Sequence, residues 1–137
     1  MHGSNLIRAL KQEDPEADVA CFGGELMKAA GARVLRHYRD MAFMGAIDVL
    51  KNLGRINQNF SLARRSLLDF GPDVVILIDY PGFNLKIARF AHEQGFKVFY
   101  YILPKVWAWK AWRVKALRRW CDELFSIFPF EEEFFSR

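Results

Sequence analysis

The sequence predicts an α/β fold built on a mainly parallel sheet with helices on both faces. Three observations carry that expectation. Val74-Val75-Ile76-Leu77-Ile78 is an unbroken aliphatic run between turn residues, as expected of a strand buried on both faces of a parallel sheet. Strand-like and helix-like segments alternate along the chain, which is the pattern of βαβ units. No internal repeat or low-complexity tract interrupts the alternation.

The elements follow in order. Leu6, Ile7 and Leu10 recur at helical spacing within Ser4 to Glu13, with Ser4 as the expected N-cap. Asp14-Pro15 ends that helix. Asp18 to Phe22 reads as a short strand closed by Gly23-Gly24. Glu25 to Ala30 reads as a short helix stopped by Gly31, and Arg33 to Tyr38 as a short strand. Ala46 to Asp69 is helical in pattern, with a break expected near Gly54. Gly71-Pro72-Asp73 introduces the strand Val74 to Ile78, which ends at Asp79. Leu85 to Gln94 is a helix stopped by Gly95, and Lys97 to Leu103 a strand. Ala108 to Trp120 is a helix, Glu123 to Phe128 a strand, and Phe130 to Arg137 the start of a last helix.

At 137 residues the chain is about one domain by length. Hydrophobic residues make up 52% and charged residues 26%, a globular and not a disordered balance. The longest apolar stretch, Val98 to Pro104, is far shorter than the ~20 residues of a membrane-spanning helix. No signal peptide is visible after Met1. Cys21 and Cys121 have no metal-ligand spacing and read as reduced thiols of a cytosolic protein. The net charge is only +4, but Gln94 to Cys121 carries seven Lys or Arg and no acid. A basic block rich in aromatics suggests an anionic partner.

Asp79 is the foremost candidate for chemistry, at the carboxyl end of a buried parallel strand where α/β sheets bind their ligands. Its carboxylate is suited to accept a proton from an attacking hydroxyl; the simpler alternative is a cap on the next helix. Asn84 lies at the start of that helix. On a helical wheel Trp109, Trp112, Ala116, Leu117 and Trp120 share one side. Lys110, Lys115, Arg118 and Arg119 lie largely opposite, and Arg113 sits near the apolar edge. The Trp side is expected to pack on the sheet with the charges solvated; the sharper alternative rests the charges on an anionic bilayer. Nucleic acid is disfavoured, because no RNP-type motif or aromatic platform is present. Met41 to Gly45 is an apolar stretch suited to core packing or to an acyl chain. His2 lies at a presumed ligand-facing turn. His37 and His92 have no ligand-spaced partner, and nothing distinguishes Asp48 from a solvated helix acid.

Six segments together resemble the lipid-A-disaccharide synthase family. His2 to Lys11 resembles the stretch after that family's Gly-Glu-x-Ser-Gly-Asp loop. Phe22-Gly23-Gly24 with Met27 resembles its second strand and turn, and Met44-Gly45 with Val49-Leu50 its Met-Gly helix start. Ile78-Asp79-Tyr80-Pro81-Gly82-Phe83-Asn84 matches Ile-Asp-x-Pro-x-Phe-Asn. Pro104 to Trp109 matches Pro-x-Val-Trp-Ala-Trp, and Phe128-Pro129-Phe130-Glu131 matches Phe-Pro-Phe-Glu. Gly82 and Lys105 stand where many members carry Asp and Ser, and the Gly-Glu-x-Ser-Gly-Asp loop is not in this sequence.

The resemblance implies an inverting glycosyltransferase of two Rossmann-like domains, the GT-B architecture. Residues 1–137 would be part of the N-terminal, acceptor and membrane-facing domain, without its first, central strand and without the C-terminal nucleotide-sugar domain. The expected substrates are UDP-2,3-diacylglucosamine and 2,3-diacylglucosamine 1-phosphate (lipid X), giving lipid A disaccharide 1-phosphate and UDP. The expected place is the cytoplasmic face of the inner membrane, against its anionic surface, with no metal or redox cofactor. The resemblance puts the family's motif aspartate on Asp79, as general base for the acceptor 6-hydroxyl or as a charge that orients it. His2, Asn84, Met44, Trp107 and Trp109 are expected at the substrate, and Lys110, Arg113, Lys115, Arg118 and Arg119 at the membrane. The segment alone is expected to be inactive. The alternatives are a non-catalytic α/β module that binds a membrane or a partner, and a different GT-B enzyme.

Overall fold

The computed structural model describes residues 2–37, 53–79, 81–102 and 112–125. Ten elements follow in order: α1 His2–Glu13, β1 Ala20–Gly23, α2 Glu25–Ala29, β2 Arg33–His37, α3 Leu53–Phe70, β3 Val74–Ile78, α4 Pro81–Glu93, β4 Lys97–Tyr101, α5 Trp112–Trp120 and β5 Glu123–Phe125. The described strands form two sheets, β1-β2 and β3-β4-β5, in which every pairing is parallel, so the fold is α/β as predicted. The chain divides into two compact units, Met1–Asn57 and Gln58–Arg137.

In the first unit β1 and β2 pair in parallel around α2, with a register irregularity between Cys21 and Phe22. Met27 of α2 locks the packing. A Cβ on Gly23 would lie 2.2 Å from its sulfur, and one on Gly3 would lie 2.9 Å from its methyl carbon. A side chain at either glycine would make the end of the Met27 side chain move aside. Helix α1 runs from His2 and carries Ser4 buried inside it, where the sequence placed Ser4 as an N-cap. Lys11 donates to the Ala17 carbonyl and ties the end of α1 to the approach to β1. The α2 terminus is a Schellman turn. Gly31, at φ 106°, donates to Lys28 and Ala32 donates to Met27.

In the second unit the strand order is β3-β4-β5, with Val74 opposite Lys97 and Phe99 opposite Glu123. Its core includes Val75, Leu77, Leu85, Ile87, Ala88, Val98, Tyr100 and Leu117. Full burial of an aliphatic side chain such as Val98 or Leu117 contributes about 1.5–3 kcal/mol each. In β3, Val75 and Leu77 are buried while Val74, Ile76 and Ile78 are half-buried. Burial thus follows the two-residue period of a strand, and the strand is not closed equally on both faces. Asp122 pins β5 to β4: its carboxylate accepts from the Val98 N–H at 2.7 Å, and its N–H returns a bond to the Val98 carbonyl. Phe60 of α3 meets Phe83 of α4 edge to face, and the Arg64 guanidinium stands 4.2 Å from the Phe60 ring centre.

Helix α3 begins at Leu53, beside the Gly54 where a break in the helical pattern was expected, and the residues before it lie outside those described. Residues 46–52, 108–111 and 126–137, to which the sequence assigned parts of helices and a strand, lie outside the described residues. No helix among the described residues is long and apolar enough to cross a membrane.

Candidate active site

In parallel βαβ units the strands end, and the following helices begin, at one edge of the sheet. In the second unit that edge collects Asp79 after β3, Asn84 in the first turn of α4, and Tyr100 near the end of β4. Asp79 is in the left-handed region at φ 49°, a conformation that disfavours L residues by roughly 1–2 kcal/mol and that Asp tolerates better than most.

Three hydrogen bonds hold its backbone. The Asp79 N–H donates to the Tyr101 carbonyl at 3.1 Å. The Asn84 amide donates to the Asp79 carbonyl at 2.8 Å and to the Ile78 carbonyl at 3.1 Å. The Tyr100 hydroxyl donates to the same Asp79 carbonyl. The Asp79 side chain is exposed and makes no hydrogen bond or ion pair among the described residues. It therefore does not cap α4. The main chain is clamped, and the carboxylate faces solvent.

Tyr100 has no exposed surface. Burial, reinforced by the charge of Asp79, raises its hydroxyl well above the usual phenolic range near 10, while the Asn84 contact and Arg113 oppose the rise. The hydroxyl therefore stays a donor at neutral pH. The sequence analysis did not single out Tyr100. The available signal was a tyrosine inside an apolar strand, because a buried phenol needs a hydrogen-bond partner. Cys121, just beyond α5, is half-buried and its thiol is pushed up to about 12, mainly by burial and also by Asp122. Burial also raises Cys21 in the first unit.

The other sequence-predicted residues fall in three groups. Asn84 joins Asp79 as described, whereas His2 lies in the first unit, exposed in the first turn of α1. Met44, Trp107, Trp109 and Lys110 lie outside the described residues. On α5, Lys115, Arg118 and Arg119 are exposed, but Arg113 is half-buried with its Nε shut off from solvent. That agrees with the wheel, on which Arg113 stands apart from the other three near the apolar edge.

The Trp face is also split. Ala116 and Leu117 are buried and Trp120 is half-buried beside Arg89, while Trp112 remains 58% exposed. Among the described residues no group of three or more His, Cys, Asp or Glu is placed to hold a metal ion.

Comparison with known proteins gives the family. The family model described as lipid-A-disaccharide synthetase matches residues 1–137. The lipid-A-disaccharide synthases of Geobacter sulfurreducens and Trichlorobacter lovleyi are each 41% identical to the chain over its full length. That of Coxiella burnetii is 34% identical over 98% of the chain. The chain spans about a third of the length of these relatives, 36% of each. With the whole chain matched and the Asp79 turn in place, the chain belongs to the lipid-A-disaccharide synthase family.

Proposed function

We propose that the complete protein carrying this chain is an inverting glycosyltransferase of lipid A biosynthesis. It joins UDP-2,3-diacylglucosamine to 2,3-diacylglucosamine 1-phosphate and releases UDP. The observation that carries the proposal is the exposed Asp79 carboxylate on a backbone held by Asn84 and Tyr100; membership of the family supports it. As the acceptor 6-hydroxyl attacks the anomeric carbon, a carbon–oxygen bond forms on the face opposite the bond to UDP, which breaks. The hydroxyl proton passes to Asp79, and the electron pair of the broken bond leaves with UDP. General-base assistance of this kind is worth about 10²–10⁴ in rate.

In the same proposal the exposed Lys115, Arg118 and Arg119 face anionic head groups on the cytoplasmic side of the inner membrane. Met44, Trp107 and Trp109 line the acyl chains, and His2 is a substrate contact. The nucleotide sugar is held chiefly by a C-terminal half of GT-B type. The chain alone is inactive.

The test is a transferase assay on the complete protein with both lipid substrates. Disaccharide and UDP formed in equal amounts are expected. A well-folded protein that forms neither would overturn the proposal.

A further inference from the structure

The edge that bears Asp79 also carries a cation with no counter-charge among the described residues. Arg113 is the second residue of α5, the helix after β4. By the same βαβ geometry that places Asn84, its turn lies toward the carboxyl ends of the strands. Its Nε is buried and has no hydrogen-bond partner among the described residues. Its contact among the described residues is with the Trp112 ring, 5.7 Å from the guanidinium carbon.

A guanidinium cannot lose its proton to escape burial. A ring face offsets part of the lost hydration but accepts none of the in-plane N–H groups. The nearby acids among the described residues do not answer it: Asp79 forms no ion pair there, and the Asp122 carboxylate is engaged by the Val98 N–H. Among the described residues nothing accepts from the buried Nε, and an oxyanion would complete it. A tetrahedral phosphate accepts two parallel N–H bonds from the guanidinium fork. The Tyr100 hydroxyl connects the two features: it bonds the Asp79 carbonyl and lies within the electrostatic reach of Arg113.

We propose that Arg113 binds a phosphate group of a substrate whose reacting hydroxyl is presented to Asp79, or of the sugar nucleotide that meets it there. The proposal rests on the glycosyltransferase reading, in which both substrates carry phosphate. It separates Arg113 from Lys115, Arg118 and Arg119, whose exposed charges suit a surface and not a bound group.

The test compares the complete wild-type protein with Arg113→Met, which keeps bulk without charge, and Arg113→Lys, which keeps charge without the fork. Calorimetric titrations use glucosamine 1-phosphate against glucosamine, and UDP against uridine. The wild type is expected to prefer one phosphorylated member at least ~10-fold, Arg113→Met to lose that preference, and Arg113→Lys to keep part of it. In turnover the KM of the substrate whose phosphate is read rises about 10-fold or more in Arg113→Met, by the same loss of a charged bond. The other substrate's KM stays near wild type, which tells the acceptor phosphate from the donor diphosphate.

A folded Arg113→Met that keeps the phosphate preference overturns the proposal. So does an equal loss for phosphorylated and unphosphorylated ligands, or a loss confined to anionic vesicles. Should Arg113→Met not fold, Arg113→Lys with unchanged preference and KM does the same. A wild type that makes no disaccharide yet prefers phosphate in titration defeats the transferase reading and not the Arg113 site; one that binds none of the probes defeats the site.

Discussion

The ends of β3 and β4 use one backbone device for two purposes. Asp79 and Ile102 each follow a strand, each has a positive φ (49° and 62°), and each donates its N–H to the last residue of the next strand. Asp79 donates to Tyr101 and Ile102 to Phe125, both at 3.1 Å. Their side chains part company there. Ile102 is 9% exposed and belongs to the core, whereas the Asp79 carboxylate stands in solvent. Left-handed geometry is therefore a property of this sheet edge and does not by itself mark a site. The mark is a charged, solvent-facing group on a backbone that Asn84 and Tyr100 hold from behind. A β-branched residue in the left-handed region persists only where packing over-determines it, and burial supplies that at Ile102. At Asp79 the side-chain hydrogen bonds supply it.

Substitutions at the two positions should separate these roles. The largest effect is on turnover. Asp79→Ala in the complete protein is expected to lower disaccharide formation about 10²–10⁴-fold, with stability within about 0.5 kcal/mol of wild type by denaturant titration. At the second strand end the order reverses. Ile102→Ala is expected to destabilise by about 2–4 kcal/mol through the cavity left behind, with turnover per folded molecule little changed.

A smaller effect joins the two measurements at Tyr100. Tyr100→Phe removes the donor to the Asp79 carbonyl and leaves the ring, so a stability loss of about 0.5–1.5 kcal/mol is expected. A fall in kcat with KM nearly unchanged marks the positioning role, and a stability change without a kcat change would reduce Tyr100 to packing.

The smallest effect is alkaline. Cys121 is raised in the folded state to about 12 from an ordinary 9.0, and Tyr100 is raised above 10.0. Above those ordinary values the unfolded chain loses protons that the folded chain retains. The stability they contribute is therefore intact below about pH 9 and falls as pH rises from there toward 12. Cys121→Ala is expected to flatten the first part of that decline in pH-dependent unfolding.

Much of the second unit was legible in sequence because its signals are local. The aliphatic run of β3 and the glycine that stops α4 act through their own backbone. Gly95, at φ 85°, closes α4 with a Schellman turn in which Phe96 donates to Ala91. Asp79 was legible because a strand end followed by a proline turn exposes whatever residue stands there. Residues whose roles depend on distant partners were harder to read. Tyr100 finds the Asp79 carbonyl 21 positions away in the chain. Arg113 and Trp112 are neighbours on one helix, but a wheel assigns a residue to a face without saying what covers it. Trp112 lies open where packing was expected, and Arg113, which the wheel set only near the apolar edge, has its Nε buried. Ser4, expected as an N-cap, lies buried inside α1, another case in which burial depends on what the neighbouring elements cover.

The central claim is that the Asp79 backbone is held in a costly conformation for the sake of its carboxylate. Asp79→Gly tests both halves of that claim in one variant, because glycine accepts φ 49° freely and brings no acid. Stability and disaccharide formation would be measured side by side in the complete protein. The account predicts a variant at least as stable as wild type, by up to about 1 kcal/mol, with turnover lowered by orders of magnitude. A variant that loses stability, or one that keeps near-normal turnover, would contradict it.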